Sequence, residues 1–307
     1  MKKNMEENFE KLHERVKDAF SKTDLERIKK ELEQLKGATL VSGVGGSSVV
    51  SEFTTKVLNQ KNGIVTRNTE PRDFNYLNLR GYKNVLACSY SGNNYGVQLA
   101  FNNDLNHYLL ASREAEDKSV TSLNYVCEDA EKSFISLGAT LIPCSVIFNF
   151  YLDHKDSVME ILDNYIKEYS FSFDPECDAY EIFTGLDTST GSKYLESTMC
   201  ESGIGIPIVH DKYAYCHGRS TTSTVNDNIA IYFNTGKELD KLLLGELPQY
   251  YKHVVVIDVD STIEGDFLGL VKSMYLSRYI ARVKQKDLSG VDYNPIVKKL
   301  YKYNGEL

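Results

Sequence analysis

The chain has 307 residues, with 43 acidic against 35 basic side chains and a formal net charge of −8. That balance excludes a nucleic-acid backbone as the main partner, because neutralising phosphates takes clustered Lys and Arg. Hydrophobic residues make up 42% of the chain, enough for a substantial core, but no apolar run approaches the roughly 18 residues of a membrane span.

Residues 5–36 place Phe9, Leu12, Val16, Phe20, Leu25, Ile28, Leu32 and Leu35 at helical spacing. They read as amphipathic helices with a break near Ser21-Lys22-Thr23-Asp24, where a short polar side chain can cap a new start. Short strands and helices then alternate. Strands are expected at 38–43, 63–67, 84–90, 107–111 and 122–127, and helices at 47–60, 94–103, 131–152 and 155–170. Such alternation implies parallel βαβ units. A Phe/Ser/Asp/Pro linker at 171–175 leads into a second half that repeats the plan. Leu40-Val41-Ser42-Gly43 aligns with Ile182-Phe183-Thr184-Gly185, and Gly63-Ile64 aligns with Gly205-Ile206 at the same offset. Asn84-Val85 and Gly92 align with Asn228-Ile229 and Gly236. Further strands are expected at 206–210, 228–234 and 253–259, and a long helix at 266–285. The expected organisation is an N-terminal helical segment (1–36), two related α/β units (37–170 and 176–286) and a basic, tyrosine-containing tail (287–307).

The six cysteines, Cys88, Cys127, Cys144, Cys177, Cys200 and Cys216, form no C-x-x-C pair. They read as free thiols of a reducing compartment. The N-terminus lacks the apolar centre of a signal peptide, so a cytoplasmic location is expected.

Two loops carry the chemistry. Gly43-Val44-Gly45-Gly46-Ser47-Ser48 follows one apolar run, and Ser89-Tyr90-Ser91-Gly92-Asn93-Asn94 follows another. Both sit where a buried strand ends and a helix begins, the place where open parallel sheets bind ligands. Helix N-termini there present unpaired amides and partial positive charge to an anion. Glycines allow close approach, and serine hydroxyls without a Lys-Ser/Thr ending suit a sugar phosphate better than a nucleotide. The pattern G-x-G-x-x-G of dinucleotide-binding oxidoreductases fails at its third glycine, which is Ser48. Glu201, near the end of an expected helix, and His217, in the loop Tyr215-Cys216-His217-Gly218-Arg219, are the candidate acid–base pair. A carboxylate suits proton abstraction beside a carbonyl, and an imidazole titrating near neutrality suits sugar-ring opening.

In order and spacing these segments resemble the double SIS (sugar isomerase) proteins, among them the isomerase half of glucosamine-6-phosphate synthase and the fructosamine-phosphate deglycases. The stretch Glu131-Lys132-Ser133-Phe134-Ile135-Ser136 resembles the family's segment before the long helix of its first unit. The resemblance implies two flavodoxin-like SIS units. It implies that Gly46, Ser47, Ser89, Ser91 and Asn94 hold the phosphate of an open-chain sugar and that Ser136 meets its middle carbons. It also implies that Glu201 moves a proton between C1 and C2, and that His217, of the same or, as this family allows, a neighbouring subunit, opens the ring. Lys299 would stand for the family's C-terminal active-site lysine. Such a reaction calls for no metal and no redox cofactor, and the implied assembly is a homodimer or larger. The chain departs from the family pattern at Asn94, where Thr is usual, and at Thr198, where aminotransferring isomerases carry Lys. The expected organisation has no glutaminase segment ahead of the first unit. These departures turn the expectation toward an aldose–ketose isomerase, a deaminase or a deglycase acting on a sugar phosphate or its amine adduct. The alternative is a non-catalytic sugar-phosphate sensor.

Overall fold

The computed structural model describes residues 2–128, 131, 133–224 and 227–290. Three helices open the chain: α1 (Lys2–Glu10), α2 (Leu12–Lys22) and α3 (Leu25–Gln34). Asp24 makes the break between the last two, its carboxylate accepting the Arg27 amide at 3.0 Å as an N-cap. The whole apolar stripe from Phe9 to Leu35 is buried. The first unit runs β1 (Ala38–Ser42), α4 (Gly46–Asn62), β2 (Thr66–Thr69), β3 (Tyr82–Cys88), α5 (Tyr95–Ala100), β4 (Asn106–Ala111), β5 (Thr121–Asn124), α6 (Gly138–Leu152) and α7 (Lys155–Tyr165). The second runs β6 (Tyr180–Thr184), α8 (Ser189–Ser202), β7 (Pro207–Asp211), α9 (Lys212–Cys216), β8 (Ile229–Asn234), α10 (Glu238–Glu246), β9 (His253–Asp258) and α11 (Ile263–Val283).

Every strand pairing is parallel, in the orders β2-β1-β3-β4-β5 and β7-β6-β8-β9. Each order reverses once, between β1 and β3 and between β6 and β8. The internal repeat is therefore structural: β1 and β6 are the first strands of the two sheets, and Gly92 and Gly236 both have φ 75°. The alignment slips at the helix ends. The left-handed glycines closing α4 and α8 are Gly63 and Gly203, not Gly63 and Gly205.

Three expected helices are shorter than the apolar pattern suggested. The one expected over 131–152 begins at Gly138, because the Glu131 carboxylate accepts the amides of Leu137 (2.5 Å), Gly138 (2.9 Å) and Ala139 (3.3 Å) and so caps the helix from outside it. Phe134 and Ile135 instead donate their amides to the carbonyls of Ser289 and Leu288. The helix over 94–103 stops at Ala100, whose carbonyl accepts from the Asn103 side chain at 2.8 Å. The helix over 155–170 ends at Tyr165. Among the described residues no helix is long and apolar enough to cross a membrane.

The two units share one core. Phe53 of α4, Phe148 of α6 and Phe267 of α11 meet with ring centroids 5.0–6.3 Å apart. Helix α6 is apolar on all sides and buried accordingly. Lys56 of α4 pairs with Asp266 of α11 inside this layer and donates to Ser189 Oγ at 3.0 Å. Helices α4 and α8 cross it antiparallel: Lys56 lies beside the start of α8, whereas Gly45, before the start of α4, lies beside Glu201 at the end of α8. Gly191 lets α8 approach α11, since a Cβ there would stand 2.8 Å from the Gly269 carbonyl oxygen and 2.7 Å from the Phe233 ring. Overpacking of this kind costs about 1–3 kcal/mol. Gly191→Ala is expected to lower the denaturation midpoint accordingly, with an unchanged denaturant slope; an unchanged midpoint would refute this close packing.

Candidate active site

The first sheet's strand order reverses between β1 and β3, and the two glycine-serine loops leave the carboxyl ends of those strands. The chain has to turn tightly here. A Cβ on Gly43 would fall 2.2 Å from the Ser47 carbonyl oxygen, and Gly45 sits at φ 58° as the residue before α4. The start of α5, directly after the second loop, lies against the first loop, since a Cβ on Gly96 would be 3.1 Å from Val44 Cγ2.

The structure gathers most of the expected residues around these loops. A Cβ on Gly46 would meet Ser136 Oγ at 3.2 Å and Thr140 Oγ1 at 3.0 Å, so Ser136 stands directly over the first loop. Thr140 donates to Ser136 Oγ at 3.0 Å. The Glu131 cap, backed by Arg15 at 3.5 Å, fixes this corner. Ser89 is buried, and its Oγ accepts from the Gly92 amide and from Asn94 Nδ2, both at 3.1 Å. Its own proton is therefore directed away from those two donors, available to an acceptor. Asn94 also caps α5, its Oδ1 accepting the Val97 amide at 3.0 Å, so its amide chiefly holds the loop in shape. Ser47 and Ser91 are half-buried, and their hydroxyls make no hydrogen bond to another described residue. Ser48 turns inward instead, donating to the Gly45 carbonyl at 2.7 Å.

Glu201 comes from the second unit. It occupies the last turn of α8, and a Cβ on Gly45 would lie 3.5 Å from its Oε1. Burial raises its pKa, and the Ser197 hydroxyl, donating to Oε1 at 2.7 Å, counters part of that rise. A carboxylate at a helix C-terminus also faces the negative end of the dipole, an unfavourable place for purely structural purposes. The sequence reading missed Ser197, Thr140 and the capping role of Glu131. Ser197 was accessible to it, because it stands four residues before Glu201 on one helix face.

His217 does not join this group within the chain. It is exposed and closes α9, beyond the carboxyl end of β7, whereas Glu201 lies before the amino end of that strand. The five residues of β7 alone separate the two edges, about 16 Å at a strand's rise per residue. Lys299 lies outside the described residues. Thr198 is buried.

No protein-family model and no curated protein matches the chain by sequence. Solved structures do match by shape. Tagatose-6-phosphate ketose/aldose isomerase from Escherichia coli superposes with a TM-score of 0.74 at 14% identity, covering 95% of this chain and 96% of its own. Glucosamine-6-phosphate deaminase from Thermotoga maritima gives 0.70 at 14% identity, covering 91% and 96%. The C-terminal domain of glucosamine-fructose-6-phosphate aminotransferase from Francisella tularensis gives 0.70 at 11%, covering 93% and 97%. The chain thus has the two-unit α/β fold of these proteins over nearly its whole length.

The Ser197 contact generates a test. Removing it takes away the hydrogen bond that favours the ionised carboxylate, so Ser197→Ala should raise the Glu201 pKa further. Carboxyl ¹³C NMR titration of the two proteins measures this, and a fall or no change would refute the assigned contact.

Proposed function

We propose that the chain is a phosphosugar-processing enzyme that moves a proton between C1 and C2 of a ring-opened sugar phosphate. The observation that carries this reading is Glu201, a carboxylate of the second unit held against the phosphate-type loop of the first. Ser47, Ser89 and Ser91 anchor the phosphate. Ser136 and Thr140, standing over Gly46, meet the middle of the sugar chain. The carbon next to the carbonyl then faces Glu201. Its carboxylate takes the proton from one carbon, leaving an enediol or enolamine, and returns it to the neighbour. Anchoring at the phosphate makes this transfer effectively intramolecular. The enzymes named above, which share the fold, act on sugar phosphates by their printed names, and this supports the same substrate class here.

Ring opening is assigned to the partner subunit's His217, because His217 of the same chain stands at the far edge of the second sheet. The functional unit is then a homodimer or larger. Aldose–ketose isomerisation, deamination and deglycation share the proton transfer and differ in the group that leaves or attacks. The presence of Glu201 and His217 without the synthase lysine favours the last two.

Glu201→Gln keeps size and polarity but cannot accept the proton. It is expected to lower kcat roughly 10²–10⁴-fold while sugar-phosphate binding, read by calorimetry, survives. Full turnover in this variant would refute the assigned base. Ser89→Ala with Ser91→Ala should instead weaken binding, by about 1–2 kcal/mol for each hydrogen bond lost to the phosphate; unchanged affinity would move the anchor elsewhere. Only ionised Glu201 is a base, and burial raises its pKa above the usual 4.5. Activity should therefore rise with pH through a midpoint above that value, and an acid limb below it would contradict the assignment.

A further inference from the structure

Helix α9 carries His217, which closes its carboxyl end and donates its amide to the Ala214 carbonyl at 3.1 Å. The helix has only five residues. So short a run has no helical stability of its own, since helices under about 12–15 residues are marginal in water. Tyr213, Cys216 and His217 are exposed, and a cavity of about 410 Å³ opens between the end of α9 and the end of α10. What ties α9 to the second unit is its two buried side chains, Lys212 and Tyr215.

Lys212 holds the first turn. Its Nζ donates to Asp240 Oδ1 and to the Phe233 carbonyl, both at 2.6 Å. Asp240 also accepts the Thr235 and Lys237 amides, and Asp266 accepts the Thr190 amide and hydroxyl. The candidate active site lies in the crevice of the first sheet; in the second sheet's crevice, between β6 and β8, carboxylates of the chain itself thus take the donors a phosphate would use.

Tyr215 holds the last turn. Its ring centroid stands 4.6 Å from Phe183 and 5.3 Å from His210, and its hydroxyl is 3.1 Å from that of Tyr251. Tyr251 gives its single proton to Glu181 Oε2 at 2.6 Å, so Tyr215 is the donor to Tyr251. Glu181 is fully buried in β6, with His210 Nε2 at 2.9 Å and Asn228 Nδ2 donating at 2.6 Å. Burial works against its charge, but these donors, led by His210, outweigh it and hold its carboxyl below the usual carboxylate range. A hydrogen-bonded chain therefore runs from the last turn of α9 through Tyr251 into the sheet.

Stability alone does not call for a carboxylate there, because well-packed apolar residues commonly replace a buried ionic group without loss. The first unit has a neutral pair at the corresponding place. Thr39, like Glu181 the second residue of its unit's first strand, accepts Asn84 Nδ2 at 3.0 Å. The charged version occurs in the unit that bears His217. We propose that Tyr215, Tyr251 and Glu181 are positioning residues for His217, fixing α9 so that the imidazole is presented to the crevice of a neighbouring copy. The proposal rests on the reading in which His217 opens the sugar ring.

Tyr251→Phe removes the hydroxyl that joins Tyr215 to Glu181 and keeps the ring. Deuterium exchange from D₂O into a hexose 6-phosphate is expected to slow by about tenfold to a hundredfold, the cost of a small misplacement, with KM unchanged. In a His217→Ala background, whose residual turnover draws on spontaneous ring opening, the same substitution is expected to cost nothing further, because its effect passes through His217. A structural role elsewhere would multiply the two losses. The amides of Ala214 and His217 should exchange with solvent about tenfold faster in Tyr251→Phe, as loss of one hydrogen bond predicts, while the Gly203 amide at the end of α8 keeps its rate. Tyr215→Phe should reproduce each result and serves where Tyr251→Phe does not fold. Unchanged exchange of the α9 amides would overturn the proposal. So would full turnover in Tyr251→Phe, or equal losses with and without His217. Equal turnover in His217→Ala and the parent protein, or none in either, would overturn the ring-opening reading itself, and the positioning role with it.

Discussion

The antiparallel packing of α4 against α8 is the constraint on which the rest of the molecule depends. An isolated parallel sheet with one covered face has no way to bring a second unit's side chain to its ligand loops. Here the buried layer shared by α4, α6, α8 and α11 does so. The Lys56–Asp266 pair fixes that layer, because a one-sided loss would strand a buried charge at a cost of about 3–5 kcal/mol, while the aromatic contact of Phe53, Phe148 and Phe267 supplies the non-directional attraction. Antiparallel packing places the positive end of one helix dipole beside the negative end of the other. That juxtaposition sets the loop before α4 against Glu201.

One duplicated architecture thus carries two electrostatic designs. The first crevice keeps its helix-end amides and serine hydroxyls without an internal carboxylate on them, so a net charge of −8 does not prevent local anion binding. The second crevice has its donors filled by Asp240 and Asp266. Those carboxylates order the loops after β8 and β6.

Much of the fold was legible in the sequence, because β1, β3, β4 and β6 are apolar runs that end at Ser or directly before Gly or Ser and the N-terminal helices show their period. Glycine-serine loops are local signals, so both could be placed directly. The start of α6 could not be, since its cap, Glu131, acts from seven residues upstream of Gly138 and not from the residue before the helix. The convergence of Ser136 and Glu201 on the first loop depends on packing between units and became visible only with the fold. Separation of His217 from Glu201 has the same origin: proximity in sequence meant opposite ends of β7. The filling of the second crevice escaped notice because Asp266 lies far along the chain from the Thr190 it holds.

The central claim is that Glu201, beside the loop at Gly45, exchanges a carbon-bound proton of an open-chain sugar phosphate. Proton NMR of the purified protein in D₂O, with hexose 6-phosphates and fructosamine 6-phosphates, tests it most directly. The account predicts deuterium at C1 or C2 of one of these compounds, with or without release of an amine. Binding of the same compounds with neither exchange nor product would contradict it and leave a sugar-phosphate sensor in its place.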